Sequence, residues 1–160
     1  MKNLKDLFNH QLQDLYSAES QLVDALPKMK EAATNEKLKK AFEDHYEETL
    51  KHKQRIEEIC VKLDIDPNGE ECKAMKGLIQ EAEDFIKEEA PDDVKDAGLI
   101  AEAQRVEHYE ISGYGTLINY CNQLGYEDIA EKLAKTLKQE YKADELLNDI
   151  AEDNINQKAK

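Results

Sequence analysis

Apolar residues recur along this chain at spacings of three and four, the period of an α-helix with one buried face. Leu4, Leu7/Phe8, Leu12, Leu15, Leu22, Leu26 and Met29 predict a first helix over about 3–33. Pro27 falls inside it. The pattern continues through Met29 to Ala32/Ala33, so the spacing predicts a kink there rather than a break. Thr34-Asn35 offers an N-cap for a second helix over about 35–63, with Leu38, Ala41/Phe42, Thr49, Ile56, Ile59/Cys60 and Leu63 on its stripe. The run from Asp64 through Pro67 and Asn68 to Gly69 stops it. A shorter helix over about 71–89 follows, with Met75, Leu78/Ile79, Ala82 and Phe85/Ile86 on one face. Ala90-Pro91 ends that segment, and Asp92-Asp93 suit the start of a fourth helix over about 93–123. Leu124-Gly125 reads as a C-cap. A last helix is expected over about 127–153, with the polar residues from Asn154 onward frayed.

The connections complete the architecture. Helices one and two are joined by a few residues, as are four and five, so each pair is an antiparallel hairpin. About thirty residues with their own short helix join the hairpins. The expectation is an all-α fold: one ferritin-like four-helix bundle over 1–160, two hairpins linked by a long crossover. A weak internal repeat accompanies it. Shifted by 92, Glu48 falls on Glu140 and His52 on Asp144. Shifted by 91, Glu19 falls on Glu110.

Each long apolar stripe is interrupted by polar residues. Leu15, Glu19 and Leu22 continue one stripe. Phe42, His45, Glu48/Thr49, His52 and Ile56 continue another. Glu107, Glu110/Ile111 and Tyr114 do so on the fourth helix, and Leu137, Glu140, Asp144 and Leu147 on the last. Carboxylates therefore point inward from all four long helices, at comparable heights. One bare buried carboxylate costs several kcal/mol. Five or six together require protonation or surrounding cations. Arg55 and Arg105 are the nearest basic residues, and the inner stripes supply few others. Two divalent metal ions would neutralise the cluster, and its carboxylate and imidazole donors suit iron or manganese better than structural zinc. The bland alternatives stand beside this: Glu19 as an inter-helix hydrogen-bond partner, His45 or His52 as a satisfied core histidine, Tyr16 and Tyr114 as core aromatics with a polar tip. His10 and His108 fall off the stripes.

Charge narrows the partners. With 22 basic and 36 acidic side chains the net charge is −14, which disfavours nucleic acid and anionic membranes as partners. Three cysteines without CxxC spacing form neither a disulfide framework nor a zinc site, and no secretory signal is legible at the N-terminus, so a reducing cytoplasm is expected.

The runs His45-Tyr-Glu-Glu48-Thr, Cys72-Lys-Ala-Met-Lys-Gly-Leu-Ile, Ala103-Gln-Arg-Val-Glu107-His108-Tyr109-Glu110-Ile111 and Tyr114-Gly-Thr-Leu resemble the YciE/YciF-like stress proteins. These are ferritin-like proteins related in fold to rubrerythrin. The resemblance implies a bacterial cytoplasmic homodimer with a candidate di-metal centre. Its ligands would come from Glu19, Glu48, the Glu107/Glu110 pair and Glu140. The usual Glu-x-x-His spacing is missing: Lys51 and Ala143 stand three residues after Glu48 and Glu140. The nearest substitutes are His52 and Asp144, four residues on, with His45 three residues before Glu48. Two functions follow: an oxidoreductase of peroxidase or ferroxidase type, or a non-enzymatic stress-induced binding or structural protein.

Overall fold

A computed structural model describes residues 1–160, and the chain is helical nearly throughout. The four long helices are α1 (Leu4–Ala32), α2 (Glu36–Leu63), α4 (Asp92–Leu124) and α5 (Glu127–Ile150), with α3 (Lys73–Lys87) in the crossover. A 3₁₀ turn, Pro67–Gly69, precedes α3. The bundle consists of the hairpins α1–α2 and α4–α5, as the connections predict. α1 runs unbroken through Pro27.

The boundaries follow from capping. Asn3 accepts from the Asp6 amide at 2.9 Å, and Asn35 accepts from the Lys37 and Leu38 amides at 2.9 and 3.2 Å, satisfying donors that the first helical turn leaves free. α2 ends on Asp64 and α4 on Gly125, both in the left-handed region at φ 56° and 73°. Cys72 caps α3 through its sulfur, which accepts from the Met75 amide. Gly98 is required by packing: a Cβ there would lie 1.9 Å from the Phe85 ring that α3 presses onto α4.

The C-terminus corrects the expectation of a frayed end. α5 passes through one wide π turn, Ala151–Ile155, into a final helical turn, Asn156–Lys158. Ile155 is buried against the same apolar cluster as Ile150 and Ala151. In a regular α-helix residues five apart point about 140° away from each other. The wider turn brings Ile155 back to the core side.

The core is divided. One cluster of 18 buried residues takes the C-terminal half of α1, the N-terminal half of α2, the N-terminal half of α4 and the end of α5, among them Leu22, Leu26, Leu38, Phe42, Leu99, Val106 and Leu147. A second cluster of 12 fills the opposite end, including Phe8, Leu12, Ile56, Tyr114, Leu117 and Leu133. Between them on every long helix lie buried polar residues: Glu19; His45, Thr49 and His52; Glu107 and Glu110; Thr136 and Glu140.

One further buried acid works at a distance from that layer. Asp96 of α4 accepts from the Thr34 amide (2.8 Å), the Thr34 hydroxyl (2.7 Å) and the Asn35 amide (2.9 Å). It thereby ties the α1–α2 turn to the second hairpin. Asp96→Ala removes three acceptor bonds at once and is expected to cost about 2–4 kcal/mol, read as a lower urea midpoint at unchanged slope. A midpoint within error of the parent's would show that the turn does not depend on this tie.

Candidate metal centre

The polar layer is assembled by helical period alone. On α2, His45, Thr49 and His52 are spaced four and three residues apart and share a face; on α4, Glu107 and Glu110 do the same. Antiparallel packing then sets these faces opposite Glu19 of α1 and Glu140 of α5. Two groups of donors result. His45, Glu107, Glu110 and Glu140 offer one ligand atom each within 4.8 Å of one another, and so do Glu19, His52 and Glu140. Glu140 belongs to both. Its Oε1 lies 2.8 Å from His52 Nδ1, and the same nitrogen is 3.5 Å from Glu19 Oε1; His45 Nε2 lies 3.2 Å from Glu107 Oε1.

Closeness here does not amount to satisfaction. Both oxygens of Glu110 and of Glu140, both nitrogens of His45 and of His52, and one oxygen each of Glu19 and Glu107 are buried without an aligned hydrogen bond. A native interior leaves a few such atoms per hundred residues, and each calls for an explanation. Tyr114 supplies one protein donor, its buried hydroxyl bonding to Glu19 Oε1. The donor set is hard oxygen with two imidazoles, and it fits a pair of divalent cations.

Burial sets the protonation of the layer. Desolvation, then the charges of neighbouring carboxylates, push Glu107 and Glu110 well above the usual carboxyl range. Glu19 rises for the first reason, with His52 beside it holding the rise back. Desolvation and the positive charge of His52 pull His45 down to about 4, so it is neutral at physiological pH. Burial would pull His52 down as well, but Glu140 and Glu19 beside it override that and raise it to about 10.

Two residues on the inner stripes stand apart from these groups. Glu48 is half-buried, accepts from Gln139 Nε2 at 2.8 Å and belongs to neither donor group. Asp144 accepts from Gln104 Nε2 at 3.1 Å and lies 3.3 Å from His108 Nε2; it reaches the layer only through its charge on Glu107. The repeat therefore matches positions that the fold treats differently, Glu140 and His52 being central while Glu48 and Asp144 sit to the side. Neither arginine compensates the buried acids. Arg55 donates to Thr136 (3.0 Å) and Gln139 (2.7 Å), and Arg105 pairs with Glu102 at the surface. The chain Arg55–Gln139–Glu48 escaped the sequence reading, since Gln139 carries no stripe signal of its own. Thr49 was visible as an inward position, four residues from His45; Thr136, buried four residues before Glu140, was not singled out.

These features define a class: a helical bundle whose core is split by a buried layer of carboxylates and histidines. The chain belongs to the family described as Domain of unknown function (DUF892), whose model matches residues 3–160. It is 46% identical to Protein YciF of Escherichia coli (strain K12), covering 99% of this chain and 96% of that protein. The crystal structure of that stress protein superposes with a TM-score of 0.93, covering 98% of this chain and 99% of the other. YcfI of Rhodopseudomonas palustris, provisionally described as a structural protein, matches at 0.89 with 44% identity, over 92% of this chain and 94% of its own. A protein of Xanthomonas campestris pv. campestris shares the fold at 0.74 with 19% identity, over 92% of this chain and 91% of its own. The kinship with YciF that the motifs imply is thus established over nearly the whole chain. No helix is long and apolar enough to cross a membrane.

The layer dictates a pH dependence for chelator-stripped protein. Glu107 and Glu110 keep protons in the folded state that the unfolded chain sheds above the usual carboxyl range, so the folded state binds more protons and stability falls as pH rises. Each carboxyl adds at most about 1.4 kcal/mol per pH unit to that slope. His52 acts in the same direction above pH 6.5, losing its contribution toward pH 10, while His45 opposes it only between about pH 4 and 6.5. Thermal midpoints are therefore expected to drop from pH 6.5 to 9, and the drop to shrink in Glu110→Gln. A flat profile in the parent protein would contradict protonated carboxyls in the layer.

Proposed function

We propose that this protein binds two divalent metal ions, iron or manganese, in the polar layer and acts in a stress response. The observation that carries the reading is the pair of donor groups sharing Glu140, most of whose buried ligand atoms lack an aligned hydrogen bond. His45, Glu107 and Glu110 would hold one ion, Glu19 and His52 the other, with Glu140 between them. When bound, such a pair supplies Lewis acidity and, for iron or manganese, electrons for reducing peroxide or oxygen. The protein's own part is to exclude bulk water with the apolar clusters on both sides and to fix the ligands by helix packing. It also keeps His45 neutral, with a lone pair free, and places the Tyr114 hydroxyl on Glu19. The stress role comes from likeness to YciF. The homodimer and a cytoplasmic setting are carried over from likeness in the same way.

A second reading has its own support. His52 between Glu19 and Glu140, together with Tyr114 on Glu19, already balances part of the layer without any ion. In that reading the carboxyls hold protons and the bundle is a non-enzymatic structural or binding protein.

Elemental analysis of untagged protein, expressed with iron and manganese supplements, separates the two. The expected result is about two ions per chain. Glu140→Gln, which alters the residue common to both groups, is expected to lose both ions, while Asp144→Asn keeps them. Because protonated carboxyls and His52 must release protons to become ligands, loading at pH 6 is expected to be weaker than at pH 8. Protein that stays metal-free after reconstitution at pH 8 would sink the di-metal reading and leave the structural one.

A further inference from the structure

A cavity of about 420 Å³ enters the bundle from the α2–α5 side and reaches the polar layer. Its walls are apolar, built chiefly from Leu26, Phe42, Val106 and Leu147, and its inner surface includes His45 and Glu107. Those two residues are 6% and 2% exposed, and His45 Nδ1, His45 Nε2 and Glu107 Oε2 have no aligned hydrogen bond. The volume lies within the range of small-molecule sites, which combine apolar walls with a few fixed polar groups. The rim carries Asp44, Glu47, Glu48 and Lys51 of α2 and Lys142 of α5, so charges of both signs line the opening.

We propose that this cavity binds an uncharged amphiphile, with an apolar body along the walls and one hydroxyl-type end at His45 and Glu107. The apolar walls select the body. The two unpartnered groups select a polar end that can both donate and accept. The mixed rim favours neither an anionic nor a cationic headgroup, and on a chain of net charge −14 an anionic one has no long-range advantage. An alkyl alcohol or alkyl hydroperoxide has the required chemistry; a free carboxylate or a sugar does not. Binding itself stands on the cavity. That the bound end lies beside a metal pair rests on the di-metal reading.

The probe is 1-octanol, titrated into metal-free and metal-supplemented protein and followed by amide chemical shifts, with octanoate as the charged comparison. Saturable shifts are expected at Ala103, Val106 and Leu147, with octanoate binding at least tenfold more weakly. Ala143 is half-buried on the cavity wall, so Ala143→Phe is expected to abolish the saturable shifts while leaving the metal content of the supplemented protein unchanged. Ala103→Leu serves as a second variant should the first fail to fold, with the same expected loss. Saturation of the metal-free protein supports the cavity whatever the metal analysis gives. Non-saturating shifts, shifts confined to the α1–α3 side, or equal binding of octanoate would overturn the proposal. Association of the free protein into dimers that Ala143→Phe disrupts would also overturn it, since the face would then be covered by a second copy.

Discussion

Everything in this bundle is arranged around a layer of charge-bearing side chains held away from bulk water. The two apolar clusters are ordinary helix-packing cores, and either could be extended through the middle of the bundle with leucines. Instead each long helix places acid, imidazole or hydroxyl groups at the same height. Burying an ionised group costs several kcal/mol unless it is paired, and the layer holds four buried carboxyls, those of Glu19, Glu107, Glu110 and Glu140. Protonation of Glu107 and Glu110, the charge on His52 and the hydroxyl of Tyr114 are the means the protein has of tolerating this by itself. They leave most of the ligand atoms unpaired. The site is thus a place where stability is forgone, the usual signature of function on a locally consistent fold.

The layer is not uniform across the bundle. At the His52 end, Tyr114 bonds to Glu19, and Glu19, His52 and Glu140 are fully buried. At the His45 end, Glu107 and His45 face the apolar opening between α2 and α5. The two donor groups share Glu140 yet differ in access and in the charge on their histidine, since the same burial leaves His45 neutral and His52 charged. A bundle built as two similar hairpins has therefore produced a site with distinct ends.

How much of this could be read from the sequence depends on the range of the interaction that decides it. Asn35, Asp64 and Gly125 act through bonds to residues close by in the chain, and the helix limits follow from them. The inward faces were legible from period alone, which is why Glu19, His45, His52, Glu107, Glu110 and Glu140 were all identified as inward. Period fixes direction only to within tens of degrees. It could not distinguish Glu140, which joins the groups of both histidines, from Glu48, which turns aside to a glutamine 91 positions away. Asp144 looked equivalent to His52 for the same reason, and its partners Gln104 and His108 lie on another helix. Asp96 gave no local sign at all, because its three donors come from a turn some sixty residues earlier. The helical end of the chain was missed because a period of 3.6 does not anticipate a π turn.

That turn has a consequence for how the length of the chain can vary. Ile150 and Ile155 face the same core across five residues, and the widened backbone takes up the surplus. With one residue fewer between them they would stand four apart, only about 40° from each other on an ordinary α-helix, and both would still reach the core. The end of α5 can therefore lose a residue while its anchor stays in place. A chain one residue shorter here would read as a different register, yet it would bury the same side chains.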